Sequence, residues 1–272
     1  MSTTIDIAFI GGGNMATAII GGLLRQGRDA ASILVIDPVA EQRQRLTETL
    51  GVQTAEGPDA ALSQAQTVVW AVKPQQFKEA AQTYASLTDQ ALHYSVMAGL
   101  RTDDMARLLG TPRIVRAMPN TPALVGQGMT GVYARPEVSE DERHLVEAMV
   151  APTGALMWVN QEADLDAVTA MSGSGPAYVF YFIESMMQAA QDMGLSAEQG
   201  RQLALATFGG ATALASQSPD SPATLRERVT SKGGTTYAAL THMESAGVKA
   251  AFIAAMRAAQ KRAGELGDEF GR

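Results

Sequence analysis

Through the first half of the chain, short runs of consecutive apolar residues alternate with longer stretches in which apolar positions recur every three or four residues. A strand covered on both faces of a parallel sheet needs the first pattern, and a helix laid on that sheet needs the second. Strands are predicted at 5–10, 32–37, 67–72, 92–97, from 113 to the corner Pro119-Asn120-Thr121-Pro122, at 129–134 and at 156–159; helices are predicted at 14–26, 39–50, 75–86 and 140–150. From Glu162 the alternation ends, and helices follow one another at 177–193, 197–215, 222–229 and 237–245. This predicts an α/β domain at 1–162 and an all-α domain at 163–272. The tail after Gly264 is expected to fray.

The helix at 177–193 changes the picture, because Tyr178, Val179, Phe180, Tyr181, Phe182, Ile183, Met186 and Met187 leave it almost no polar face. Such a helix has to be covered on most sides, either by a second subunit or by the rest of its own chain. The reading adopted is an obligate homo-oligomer.

Composition adds mainly exclusions. With 272 residues, 46% hydrophobic and 18% charged, the chain has ample material for a core; its net charge of −7 and lack of a basic cluster argue against a nucleic-acid partner. No uncharged apolar run reaches spanning length, and Met1 to Thr4 leads into a strand without a basic segment, so no membrane partner is expected. There is no cysteine, and His93, His144 and His242 lie far apart, so neither a disulfide framework nor a metal centre is expected. The expected compartment is the cytoplasm.

The first candidate site is Gly11-x-Gly13-x-x-Ala16, which follows the first strand and opens the first helix. Gly11 permits a turn closed to other residues, Gly13 lets a pyrophosphate approach the backbone, and Ala16 lets the helix lie close on the strand; the free N–H groups of the helix start would face the phosphates. At the tip of the second strand, Asp37 can accept both ribose hydroxyls of NADH and repel a 2′-phosphate, or can serve as a cap for the next helix. Arg43 and Arg45 lie within one to two turns and could still reach a phosphate. Lys73-Pro74 ends the third of the long apolar strands, where the lysine is either a proton donor or a solvated strand-end residue. Asn120-Thr121, between two prolines, are either fixed polar groups at a strand's carboxyl end or plain turn residues.

The second candidate site is Thr230-Ser231-Lys232-Gly233-Gly234-Thr235-Thr236. Two glycines and two threonines entering a helix suit a small carboxylate, and they also suit a simple threonine cap.

Five stretches give the whole chain a resemblance to the pyrroline-5-carboxylate reductase family. They are Phe9-Ile10-Gly11-Gly12-Gly13-Asn14-Met15, Ala71-Val72-Lys73-Pro74, Arg116-Ala117-Met118-Pro119-Asn120-Thr121-Pro122, Ser172-Gly173-Ser174-Gly175-Pro176-Ala177-Tyr178 and Ser231-Lys232-Gly233-Gly234-Thr235-Thr236. The resemblance implies an N-terminal Rossmann-like dinucleotide-binding domain, an all-α C-terminal dimerisation domain, and NADPH or NADH as hydride donor. It implies a homo-oligomer, either a dimer or a pentamer of dimers. It places Ile10, Gly11, Gly12, Gly13, Asn14 and Met15 at the pyrophosphate; Asp37, at the ribose by its strand-tip position, stands where NADPH-preferring members commonly have a small or neutral polar residue. Val72, Lys73 and Ala98 fall on the nicotinamide side, Pro74 and Asn120 are also assigned to the cofactor, and Ser174, Ser231, Gly233, Gly234, Thr235 and Thr236 to the substrate. Lys232 stands where the family usually has proline and Glu227 where it has aspartate. Family precedent favours NADPH, whereas Asp37 favours NADH.

The implied reaction is hydride transfer to the C5 carbon of a cyclic imine carboxylate, giving L-proline. A protonated imine is already electrophilic, so alignment and an anion clamp matter more than a strong acid, which fits the lack of a candidate catalytic histidine or cysteine. Thr236 is expected to contact the ring nitrogen. A β-hydroxyacid dehydrogenase would need a lysine on the interdomain helix, and 177–193 holds none. A cofactor-sensing protein without turnover is the rival from another class.

Overall fold

The strands form where the side chains have no polar face to offer water. The computed structural model describes residues 4–271, so the reading of Met1 to Thr3 as a plain lead-in concerns residues outside the described ones. Strands β1 (Ile7–Ile10), β2 (Ile33–Ile36), β4 (Thr67–Trp70) and β5 (Leu92–Ser95) are buried at every position. With β3 (Gln53–Ala55), β6 (Ile114–Met118), β7 (Gly128–Ala134) and β8 (Gly154–Trp158) they make one sheet in the order β3-β2-β1-β4-β5-β6-β7-β8. Pairing is parallel except between β6 and β7.

Successive residues of a strand point to opposite faces, and the two faces carry separate cores. Ile7 and Phe9 of β1 pack with Ile19, Ile20 and Leu23 of α1 (Asn14–Arg25), Leu46 of α2 (Ala40–Leu50) and Val146 and Met149 of α5 (Glu140–Val150). Ala8 and Ile10 pack with Phe77 and Ala81 of α3 (Phe77–Tyr84) and Met105 and Leu109 of α4 (Thr102–Leu109). Between β1 and β4 the helices α1 and α2 cover one face, and after β4 the helices α3 and α4 cover the other, so the winding changes direction there and opens a crevice at the carboxyl ends of β1 and β4.

Four strands and helices were not predicted: β3, α4, and the helices Asp164–Val168 and Val248–Phe270. β3 is a short polar edge strand without an apolar run. α4 did carry legible signals: Asp103 and Asp104 in its first turn, Arg107 in its last, and Gly110 left-handed at its end.

Inside the sheet, the indole N–H of Trp70 donates to Nδ1 of His93 at 2.9 Å, and the other ring nitrogen lies 3.1 Å from the Thr88 carbonyl oxygen. An indole N–H only donates, so Nδ1 must be unprotonated and Nε2–H donates to Thr88. Burial pushes the His93 pKa from 6.5 down to about 4. Between those values the unfolded chain binds the extra proton, so stability falls as pH falls from 6.5 towards 4, by about 3 kcal/mol in total. Denaturant titrations of wild type and His93→Leu at pH 7.0, 5.5 and 4.5 should show a steeper acid loss in wild type; parallel slopes would remove His93 as the cause.

By contacts the chain divides into two units, one up to Ser174 together with the stretch from Ala259 onward, the other Gly175–Ala258. The change to helices does come after Glu162, but the compact division falls later than 162/163. Residues 164–173 still belong to the first unit: α6 (Asp164–Val168) buries Leu165 and Val168, and a π-helical turn at Thr169–Gly173 follows it. Glu162 accepts from the Thr102 backbone N–H at 2.8 Å and from the buried Arg116 at 2.9 Å, and Asp166 accepts from Arg101 at 2.8 Å. The tail is not frayed. α11 (Val248–Phe270) continues to Phe270, and the Arg101 guanidinium lies so close to Gly267 that a Cβ there would come within 2.6 Å of its Nε. A glycine-bearing helix end locked over an ion pair is not legible as local propensity.

In the second unit α7 (Gly175–Asp192) and α8 (Ala197–Gln217) are followed by α9 (Pro222–Arg228), α10 (Thr235–Ser245) and the part of α11 up to Ala258. Tyr178 and Phe182 of α7 stack edge-on against Phe252. Only Ala190, Gly200 and Ala204 are fully buried in Gly175–Ala258, while Phe180, Tyr181, Leu203 and Leu214 are each more than half exposed. Three small residues make no core, so this unit has to complete one with another chain.

Candidate functional site

The carboxyl ends of four strands finish in one row. Gly11 N–H donates to the Ile36 carbonyl at 2.8 Å, Ala71 N–H to Ile10 at 2.9 Å and Val96 N–H to Trp70 at 3.1 Å, so the residues just past β2, β1, β4 and β5 lie side by side. Gly11 has φ +98, and a Cβ on it would stand 2.6 Å from the Ala71 carbonyl oxygen, so the turn excludes any side chain. At Gly13 a Cβ would meet nothing within 4 Å. Gly13 is also the N-cap of α1 and no side chain caps it, so the helix start is open to a ligand. An open start with backbone N–H groups and room above the glycine suits a pyrophosphate. Asn14 is exposed and Met15 half-buried there, with Ile10 buried beneath as the last residue of β1.

Asp37 turns out to hold the glycine turn itself. Its Oδ2 accepts from the Gly12 N–H at 2.8 Å and its Oδ1 from the Val39 N–H at 2.9 Å. The second bond closes a turn ahead of α2, whose N-cap is Val39 without a side-chain cap bond, so Asp37 is not the cap of that helix. The first bond ties β2 to the nucleotide turn, which neither reading of Asp37 included. Sequence reasoning also missed Gln42, whose side-chain N–H donates to the Gly12 carbonyl, and Glu56, paired with Arg43 at 3.4 Å. Arg43 in turn donates to the Asp37 carbonyl at 2.8 Å. Spacing on α2 could have found Gln42; nothing local points to Glu56, which arrives with β3.

Beyond β4, Val72 is half-buried and Lys73 exposed, with Lys73 capping the short 3-10 turn Pro74–Gln76. Ala98 is exposed past the end of β5. These residues edge the same crevice as the glycine turn. Asn120 differs: its Oδ1 accepts from the Met129 N–H at 2.9 Å, and its Nδ2 donates to the Ser172 hydroxyl at 3.1 Å and the Ser172 carbonyl at 3.3 Å. Its amide is used in pinning β7 and the π-helical turn, leaving little to offer a ligand. Ser174 follows that turn and donates its N–H to the Thr169 carbonyl at 2.8 Å.

In the second unit, Ser231 to Gly234 form a tight turn. Gly234 N–H donates to the Ser231 carbonyl at 3.0 Å and Gly233 has φ +75. Gly234 is the N-cap of α10 with no side-chain cap. Thr235 and Thr236 therefore do not cap this helix by the usual side-chain bond, which removes the bland reading of the loop. Thr235 is exposed and Thr236 half-buried. Among the described residues no group of three or more metal-ligating side chains occurs, and no helix is long and apolar enough to cross a membrane.

Comparison with known proteins joins these two halves. Residues 162–266 match the family model for pyrroline-5-carboxylate reductase dimerisation, and residues 6–99 match that for NADP oxidoreductase, coenzyme F420-dependent. The chain is 42% identical to a pyrroline-5-carboxylate reductase of Pseudomonas aeruginosa over 99% of its own length and 100% of the relative's. It is 41% identical to that of Haemophilus influenzae over 96% and 97%. The solved structure of the Coxiella burnetii enzyme superposes with a TM-score of 0.90 at 38% identity, covering 97% of this chain and 98% of that one. The Plasmodium falciparum pyrroline carboxylate reductase, solved with NADP bound, gives 0.88 at 26%, covering 98% and 100%. With a glycine turn fit for a pyrophosphate, a coreless helical unit and full-length identity of this order, the chain belongs to the pyrroline-5-carboxylate reductase family.

Proposed function

We propose that the chain reduces L-1-pyrroline-5-carboxylate to L-proline with hydride from NAD(P)H, the last step of proline biosynthesis, and that its two glycine-bearing turns divide the work. The observation that carries this is the pair of uncapped helix starts, one entered from the Gly11–Gly13 turn and one from the Gly233–Gly234 turn. The dihydronicotinamide, when bound, supplies hydride from its C4. Ile10 to Met15 hold the pyrophosphate with backbone N–H groups, and Val72, Lys73, Pro74 and Ala98 border the nicotinamide. Asn120 acts through the backbone it holds in place.

The N–H groups of Thr235 and Thr236 hold the substrate carboxylate beside the turn that the Gly234 N–H closes on the Ser231 carbonyl, with Ser231 and Gly233 alongside. The Thr236 hydroxyl stands at the ring nitrogen. That nitrogen carries its proton before the hydride arrives at C5, so the C=N bond becomes a single bond and no further acid is needed. Lys232 is exposed two residues before the N-cap Gly234, where its ammonium adds to the attraction for a carboxylate.

The working form is a homo-oligomer; a dimer assembled through Gly175–Ala258 satisfies the exposed apolar helices, and a pentamer of such dimers is the larger form proposed. A cytoplasmic location is consistent with the absence of cysteine and with an intracellular biosynthetic role. Following the absorbance of NADH and of NADPH at 340 nm on addition of the cyclic imine acid tests the reading: it should fall, and a flat trace with both cofactors would leave a binding protein without turnover.

A further inference from the structure

The ribose edge of the glycine turn is negatively charged and rigid. We infer that Asp37 and Glu56, one holding its place and the other neutralising Arg43, select a nucleotide with a free 2′-hydroxyl, so that this enzyme binds NADH in preference to NADPH. The inference rests on the nucleotide reading of the Gly11–Gly13 turn.

Asp37 lies directly past β2 and is 8% exposed. Its two oxygens accept from Gly12 and Val39 at 2.8 and 2.9 Å, on opposite sides of the carboxylate. A side chain held at both oxygens cannot rotate away from an incoming phosphate. Each oxygen keeps a lone pair for a ribose hydroxyl, and an ionised carboxylate has no proton to give a phosphate oxygen. The arrangement therefore accepts a diol and repels a dianion.

Of the two arginines on this stretch of α2, Arg45 is exposed and Arg43, the one held at Asp37, is already engaged. One of its terminal nitrogens donates to the Asp37 carbonyl and the other faces Glu56 at 3.4 Å. Glu56 reaches that place because β3 pairs alongside β2, where Asp37 N–H donates to the Ala55 carbonyl at 3.0 Å. The local sum is two carboxylates to one guanidinium. Removing Glu56 leaves the Asp37 bonds untouched and frees half of the Arg43 fork for a phosphate. Asp37→Ser is a poorer probe, since it also deletes both backbone bonds and would loosen the turn for either nucleotide.

The test is binding, with NADH and NADPH as probes. Dissociation constants are read by calorimetry on wild type, Glu56→Gln and the double variant Glu56→Gln/Arg43→Gln, with melting temperatures as a check on folding. Glu56 is 77% exposed at its side chain, so the single variant should melt as wild type does. Wild type should bind NADH at least tenfold more tightly than NADPH. Glu56→Gln should tighten NADPH at least threefold while leaving NADH within twofold, and the added Arg43→Gln should cancel that gain. Raising salt from 0.05 to 0.5 M should narrow the wild-type ratio, because the repulsion is screened. Equal affinities in wild type, or tighter NADPH, would overturn the inference, as would a Glu56→Gln ratio identical to wild type. If neither nucleotide binds, the reading of the glycine turn falls with it; binding of both without preference sinks only the selectivity.

Discussion

Thr236→Ala should lower kcat by about ten- to a hundred-fold and leave the affinity for the nucleotide within twofold of wild type. The proposed contact is one hydrogen bond to a nitrogen that is charged before hydride transfer, and a bond to a charged group contributes about 1.5–3 kcal/mol. At about 1.4 kcal/mol per factor of ten, this gives the stated range. The residue lies in the first turn of α10, and its proposed contact is to the substrate's ring nitrogen and not to the nucleotide, so nucleotide affinity is expected to hold. Thr236→Ser keeps the hydroxyl and should retain most of the turnover. Steady-state kinetics at saturating nucleotide, with separate nucleotide titrations, decide it. A mutant that turns over normally at saturation but has lost nucleotide affinity would place Thr236 on the cofactor instead.

Phe180→Glu should convert the stable oligomer into a species that dissociates at micromolar concentration. Phe180 sits on α7, 58% exposed within its own chain, in a unit whose only fully buried residues are two alanines and a glycine. Burying a phenylalanine against a partner contributes about 1.5–3 kcal/mol, and a two-fold interface contains the residue twice. Losing both, before counting the cost of burying carboxylates, is about 3–6 kcal/mol, or a rise in the dissociation constant of about 10² to 10⁴. Light scattering between 0.5 and 50 μM measures it. Wild type appearing as a monomer would end the argument from the exposed helix, and a mutant with wild-type association would move the interface to another face of α7.

Much of this protein can be read without coordinates, and the reason is local. Four-residue runs such as Ile7–Ile10 and Ile33–Ile36 have no polar face, so they must be interior strands whichever neighbours they find. Gly11 directly after an apolar strand announces the tight turn, and the spacing to Gly13 and Ala16 announces the helix that follows. α7 declares its need for a partner by composition alone.

What was not legible depends on residues far apart in the chain. Asp37 offered two local readings, a ribose ligand and a cap; only the parallel pairing of β2 with β1 brings its second oxygen to Gly12 and gives it a third role. Asn120 looked like a polar group held ready for a ligand until β7 and the π-helical turn used up its amide. Glu56 had no distinguishing neighbours in sequence, because its meaning comes from a polar edge strand that pairs beside Asp37. The tail past Gly264 has the small and charged residues of a fraying end, yet Gly267 is the gap that lets Arg101 lie against the helix. Strand, helix and turn were set by the sequence through side-chain polarity and backbone freedom, which act over a few residues. The destinations of these carboxylates, amides and guanidinium groups were decided by tertiary structure, because a hydrogen bond needs its partner within about 3 Å and folding alone brings residues from different strands and helices to that distance.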